Sequence, residues 1–269
     1  MIAFAANSIL CRMSLGNGLI DAASFTTIRL VSGALCLVAI VSLREQRWRP
    51  GRPNWLAILS LYGYMACFSF AYRSLSAGTG ALLLFGFVQL TMIAVAVIRG
   101  ERLSMSSWIG MALAMSGMVY LVMPGIEAPD PANSALMALA GLAWGVYSLL
   151  GIGKGDPTTS TASNFLYATP LAALGSLIES DNVFLSWQGC LLAVVSGAIA
   201  SGMGYAIWYR VLKSIRAASA AVVQLSVPAL ATLGGVVLLA EPLTSRTVAA
   251  TALTIGGIYI AVKRPGKKG

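Results

Sequence analysis

The sequence predicts an all-α integral membrane protein: ten transmembrane helices, arranged as two inverted five-helix repeats, with both termini in the cytoplasm. Three observations predict it: apolar runs of membrane-spanning length, basic residues gathered into alternate loops, and a motif that returns 140 residues later. Of 269 residues, 58% are hydrophobic and 10% charged, and the mean hydropathy is +0.81, outside the range of water-soluble domains.

At about 1.5 Å of rise per residue, a run of roughly 20 apolar residues crosses a hydrocarbon core of about 30 Å. Ten such runs are read, at 2–15, 22–43, 54–73, 79–98, 106–123, 133–152, 161–179, 187–209, 218–240 and 246–263. The first is short; with no basic leader and no small-residue cleavage site, it reads as a helix and not as a signal peptide. No run alternates polar and apolar residues at period two, which a lipid-facing barrel strand requires.

Ten crossings put odd and even loops on opposite sides. One side carries Arg44, Arg47, Arg49, Arg52, Arg99, Arg102, Lys154, Arg210, Lys213, Arg216, Lys263, Arg264, Lys267 and Lys268; the other carries only Arg73 and Arg246. That fourteen-to-two bias predicts a cytoplasmic location for both termini. The net charge of +9 is explained by these membrane-flanking loops and anionic lipid, so no nucleic-acid partner is predicted.

The four cysteines, Cys11, Cys36, Cys67 and Cys190, are scattered through apolar runs without metal-ligand spacing, and there is no histidine. They read as packing residues, and no metal or other cofactor is predicted. A membrane-embedded enzyme would need convergent carboxylates or a nucleophile with its base, and neither is visible. A passive channel would favour a charge ring or polar stripe over bulky aromatics at mid-membrane.

The recurring motif fixes the domain organisation. "AVIRGERL" (96–103) returns as "VVLLAEPL" (236–243), so that Glu101 aligns with Glu241, Leu103 with Leu243 and Gly117 with Gly257. The units are 1–125 and 126–269. Five crossings is an odd number, so the second copy enters the membrane from the opposite side, placing Glu101 in a cytoplasmic turn and Glu241 in an outer one. Inverted pairs of this kind commonly serve alternating access around a midplane site.

With these repeats go "FAANSILCR" (4–12), "ASFTTIRLVSGAL" (23–35), "GALLLFGFVQL" (80–90), "GERLSMSSWIGMALAMSGMV" (100–119) and "AAVVQLSVPALATLGGVVLLAEPLTSRTVAATALTIGGI" (220–258). The chain resembles the drug/metabolite transporter superfamily in its EamA-like branch and, within it, the YddG-type bacterial aromatic amino-acid exporters. The resemblance implies a multi-pass exporter of the bacterial inner membrane. Its substrates would be small metabolites, aromatic and other neutral amino acids foremost, with cationic drugs as the alternative. It also implies a central cavity lined mainly by helices one, three, four, six, eight and nine. No obligatory protein partner is predicted; the partners are the bilayer and the small-molecule substrate.

Polar and aromatic residues at mid-membrane are the candidate site. Unpaired amides in hydrocarbon cost several kcal/mol, so Asn7, Gln89, Asn164 and Gln224 either line a cavity or bond another helix. Tyr64, Trp144, Tyr147 and Tyr205 recur at helical spacing with Phe68 and Tyr72, and Tyr64, Trp144 and Tyr147 lie deepest. Tyr72, Trp208 and Tyr209, near helix ends, read as interfacial belt residues. Arg12 and Arg29 lie within a turn or two of the outer surface, where they would snorkel, pair with Asp21 or steer a substrate carboxylate. Pro170 and Pro228 are candidate helix breaks and hinges. "GMALAMSG" (110–117) and "TIGG" (254–257) are small-residue packing faces.

Overall fold

The computed structural model describes residues 1–45, 48–100, 104–125, 128–151, 156–179, 181, 183–212, 223–224 and 226–263, without the side chains of Tyr209, Leu212, Val262 and Lys263. The first copy of the recurrent turn, Glu101 to Leu103, lies outside these residues, as do the loop charges Arg47, Glu127, Lys154, Lys213, Arg216, Arg264, Lys267 and Lys268.

Ten helical rods account for nearly all that is described. They are α1 (Ile2–Gly16), α2 (Ala22–Arg44), α3 (Trp55–Ala71), α4 (Ala77–Ile98), α5 (Met105–Val122), α6 (Pro131–Leu150) and α7 (Pro157–Ile178), then α8 in three stretches (Trp187–Val195, Ser196–Met203 and Gly204–Leu212), α9 (Ser226–Leu239) and α10 (Ser245–Lys263). Most starts are set by a side chain that accepts from an otherwise orphaned backbone N–H. Asp21, Asn54, Ser76, Ser104 and Ser186 act this way for α2, α3, α4, α5 and α8. Asp130 and Asp156 do the same ahead of Pro131 and Pro157, whose missing N–H is free of consequence in a first turn.

By length and composition five rods are apolar enough to cross a membrane: α2, α4, α5, α6 and α8. Two of the others are short, α1 at 15 and α3 at 17 residues, and α7 opens with the hydroxyl-rich Pro157–Thr-Thr-Ser-Thr run; α9 is described from Ser226, with Val223 and Gln224 helical ahead of it. The surface is turned inside out relative to a water-soluble protein: Leu59, Leu174, Leu233 and Val237 face outward, while Arg29, Asn7, Gln89 and Ser201 are buried.

The helices pack in a definite pattern: α5 on α10, α2 on α7, α4 on α9, α3 on α6, α1 on α8, α4 on α6, α1 on α9, α3 on α7 and α2 on α8. Exchanging each helix with the one five places on returns the same nine pairings, whereas the contacts of α4 with α1, α5 and α10 have no counterpart of comparable extent among the described residues. The α5–α10 seam is backbone-close, as its small residues predict. A Cβ on Gly117 would lie 2.6 Å from Thr254 Oγ1, and Ser107 donates to the Ala261 carbonyl at 3.0 Å across the seam. At one end of the bundle Ile20 and Leu185 form an isolated antiparallel bridge. There the Asp21 carboxylate accepts from Phe184 N–H at 3.1 Å as well as capping α2.

The middle stretch of α8, Ser196–Met203, is π-helical. It is rich in glycine and serine, and a Cβ on Gly197 would run into Ser32 and the Arg29 carbonyl, so α2 and α8 meet there at backbone distance. Wide turns of this kind concentrate at functional positions.

Candidate functional site

An aromatic cluster fills the centre. α3 contributes Tyr64 and Phe68, one turn apart on one face; α6 contributes Trp144 and Tyr147; α8 contributes Tyr205. The Trp144 indole is clamped between Tyr205, 5.1 Å away at 25°, and Tyr147, 5.4 Å away at 29°, with Tyr64 tilted against it at 4.9 Å. Phe4 and Phe165 close on Tyr205 edge-on at 5.6 and 6.0 Å. Glycines seat α6 for this purpose: a Cβ on Gly141 would lie 2.6 Å from the Leu84 carbonyl, so α6 lies directly on α4. The cluster bounds a cavity lined by Asn7, Ser8, Tyr64, Phe68, Trp144 and Tyr205 among others, with a volume of about 10 Å³. That is room for about one water.

Arg29 is fully buried behind the Tyr64 and Phe68 wall of this cluster and does not itself line the cavity. Its Nη2 donates to the Tyr64 hydroxyl at 3.1 Å and its Nε to Ser201 at 3.3 Å, while Nη1 has no partner. The guanidinium lies 4.9 Å from the Phe68 ring centre and 5.5 Å from that of Tyr64. Two neutral hydroxyls and two ring faces thus hold a full charge, the rings contributing about 0.5 to 2 kcal/mol each. Asn7, one wall of the cavity, accepts from Ser196 in the π-helical stretch.

The two ends of the cluster differ. Toward the start of α3 and α7 lies a polar pocket of about 190 Å³, whose lining includes Arg52, Asn54, Tyr147, Ser160, Thr161 and Asn164. Tyr147 forms its inner wall: its hydroxyl donates to Thr161 Oγ1 at 3.4 Å and accepts from Asn164 at 3.3 Å, while its ring stacks on Trp144.

The other end is latched. Arg12 Nε donates to Glu241 Oε1 at 3.0 Å, and Glu241 Oε2 accepts from Ala77 N–H at 2.9 Å, at the first turn of α4. Arg12 Nη1 reaches the carbonyls of Tyr72 and Arg73 at 3.4 and 3.2 Å. Glu241 is aimed by its backbone: Ala240 is left-handed at φ 52°, and Glu241 N–H returns to the Gly235 carbonyl at 3.1 Å, closing the α9 C-terminus. Gly100, aligned with Ala240 in the first copy, is left-handed too, at φ 84°.

Several sequence expectations are therefore revised. Arg12 pairs with Glu241 and not with Asp21, which is occupied as a cap and as a loop tie. Arg29 neither snorkels nor pairs with Asp21; it points inward between α3 and α8. Tyr72 is no belt residue but buried, its hydroxyl donating to the Ala77 carbonyl at 3.2 Å. α7 runs unbroken through an outward-facing Pro170, whereas Pro228 is buried and its carbonyl accepts from Thr232 at 2.9 Å.

Of the candidate cavity residues, Asn7, Tyr64, Trp144 and Tyr205 converge on the central cavity and Tyr147 backs it. Gln89 is buried on α4 and Gln224 half-buried ahead of α9, and neither is among the cavity's lining. Sequence reasoning passed over Phe4, Phe165 and Ser201. Phe4 shares a helical face with Asn7, Ser8 and Cys11, a spacing that marks it in retrospect.

Comparison with known proteins agrees with this architecture. A solved crystal structure superposes with a TM-score of 0.70 at 22% identity, over 97% of this chain and 96% of that one, which establishes a shared fold. A protein of Pseudomonas aeruginosa is 49% identical over 260 residues, covering 97% of this chain and 91% of its own. The threonine/homoserine exporter RhtA of Salmonella typhimurium is 24% identical over 258 residues, covering 91% of this chain and 84% of its own. The EamA-like transporter family description matches residues 1–123 and 134–263, and the chain belongs to that family of membrane transporters.

Proposed function

We propose that this transporter exports amino acids, aromatic and other neutral ones, across the bacterial inner membrane by alternating access of two inverted five-helix repeats, 1–125 and 126–269, with both termini cytoplasmic. The observation that carries the reading is the clamp on Trp144. Planar rings stacked at 5.1 and 5.4 Å around a closed cavity form a surface that an aromatic side chain can enter by replacing one ring contact with another, each worth about 0.5 to 1.5 kcal/mol beyond its buried area. The nine helix pairings that survive exchange of the two halves support the repeats. The fourteen-to-two distribution of basic residues supports the orientation, which makes the polar pocket a cytoplasmic vestibule and the Arg12–Glu241 pair an outer latch. Pro170, Pro228 and the π-helical stretch are the hinge candidates. Arg29, behind Tyr64 and Phe68, is the residue that would receive a carboxylate once that wall opens, whereas Arg12 is engaged in the latch.

Relatives support the class of cargo: RhtA is a threonine/homoserine exporter by name, and another Salmonella typhimurium protein, 25% identical over 236 residues, is named as an amino-acid metabolite efflux pump. Counterflow tests the proposal. Purified protein in liposomes preloaded with tryptophan, phenylalanine, threonine or methyl viologen is expected to accumulate labelled amino acid only against a trapped amino acid, and Trp144→Ala to abolish this at unchanged folded yield. Exchange driven by methyl viologen alone would assign the protein to cationic drugs instead.

A further inference from the structure

We infer that the central site is an anion receptor: the substrate is held by its carboxylate on Arg29, and its ammonium is dispensable, so that aryl and alkyl monocarboxylates lacking an amino group are carried alongside amino acids. This rests on the reading of the aromatic cluster as the binding site and sharpens it to a charge rule.

The charge inventory is lopsided. Arg29 brings one permanent positive charge, fully buried, and its described partners are neutral: the hydroxyls of Ser201 and Tyr64 and the faces of Phe68 and Tyr64. The ion pairs among the described residues, Arg12 with Glu241 and Arg44 with Asp156, sit at the two ends of the bundle. For an ammonium the cavity offers neutral groups alone: Asn7 Oδ1, which already accepts from Ser196, the Ser8 hydroxyl, which has no hydrogen-bond partner among the described residues, and ring faces. A carboxylate would meet a full opposite charge in a low-dielectric surround; an amine without a carboxylate would meet a like charge.

The geometry of the fork points the same way. Nη1 and Nη2 form the guanidinium edge that takes a carboxylate through two parallel bonds. Here the Tyr64 hydroxyl holds Nη2 and Nη1 is vacant. The cavity, at about 10 Å³, admits a substrate only if its rings part. Moving Tyr64 aside frees Nη2 beside the already unpartnered Nη1, so opening the apolar wall and exposing the anion seat are one motion. Tyr64 thereby occupies, in the closed centre, the place of one carboxylate oxygen.

The test is competition in counterflow, with wild-type protein in tryptophan-loaded liposomes and correction for protein-free vesicles. Indole-3-propionate, which keeps the carboxylate and lacks the ammonium, is expected to compete within about threefold of tryptophan and to drive exchange when trapped. Tryptamine, which keeps only the ammonium, is expected to be weaker by about thirtyfold or more, the factor a charged hydrogen-bonded contact supplies. Arg29→Gln should erase that ranking and Arg29→Lys keep it. Because a buried arginine can also matter for folding, Tyr64→Phe is the second variant: removing the hydroxyl that competes for Nη2 should lower the half-saturating carboxylate concentration about fivefold.

Tryptamine equal to tryptophan, or indole-3-propionate inert while tryptophan exchanges, overturns the inference and leaves amino-acid export standing. Indole-3-propionate exchanging where tryptophan does not would uphold the anion receptor and overturn amino-acid export. No exchange of either from folded protein overturns both.

Discussion

Replacing Glu241 by glutamine should unlatch the closed end of the transporter. The carboxylate makes two contacts that an amide reproduces only in part: the 3.0 Å bond from Arg12 Nε and the 2.9 Å bond from Ala77 N–H. Side-chain exposures of 24% for Arg12 and 12% for Glu241 put the pair between a surface bridge, worth up to about 1 kcal/mol, and a buried one. A charged hydrogen bond contributes about 1.5 to 3 kcal/mol, and an anion at a helix N-terminus about 0.3 to 1 kcal/mol more. Arg12 keeps the Tyr72 and Arg73 carbonyls, so it is not stranded, and glutamine still accepts from Ala77. The net loss is about 2 to 3 kcal/mol, a shift of about 30- to 140-fold toward the opened arrangement. Spin labels at Asn17 and Leu238, which line the open pocket beside the latch, report it as a new, longer distance in double electron–electron resonance. An unchanged distance distribution in folded Glu241→Gln protein would refute the gating argument.

Four further outcomes follow, three from backbone geometry and one from a helix cap. Ala240→Gly is expected to raise stability by about 0.5 to 1 kcal/mol, because alanine at φ 52° carries a strain that glycine lacks, and thermal unfolding in detergent measures it. Gly110→Val should destabilise by at least about 2 kcal/mol, since its Cβ would lie 2.9 Å from Ala261 Cα. Gly256→Ala, which meets nothing within 4 Å, should be neutral or stabilising by up to about 1 kcal/mol in the same unfolding assay. Asp156→Ala removes the α7 cap and the 3.3 Å contact with Arg44, costing about 1 to 2 kcal/mol and loosening amide exchange at Pro157–Ile178 before the rest of the bundle.

The ten helices were legible because hydrocarbon demands long apolar runs, whatever the helices pack against. Their starts were less so. α7 begins at Pro157, four residues ahead of the expected 161, because an aspartate–proline pair initiates a helix through its polar atoms and not through hydrophobicity. The same pair begins α6 at Pro131. In the site, Tyr64, Trp144 and Tyr205 could be found from depth and spacing, since a tyrosine or tryptophan far from the interface needs company. Arg29 could not be placed: distance along a helix gives its depth, but whether it meets lipid, water or rings depends on which helices lie alongside. The latch was hidden for a related reason. Arg12 and Glu241 are 229 residues apart, and no periodicity in the chain couples them.

The π-helical stretch of α8 has a geometrical consequence for Tyr205. The residues from Gly204 onward inherit their angular position from the number wound into Ser196–Met203, and that stretch is pinned at both ends, Ser196 by Asn7 and Ser201 by Arg29. One residue inserted or removed there would turn Tyr205 by about 100°, away from the Trp144 face it now covers. The stretch therefore works as a dial that sets the phase of one half of a helix against the other, and a helical wheel drawn through all of α8 would assign its second half to the wrong side.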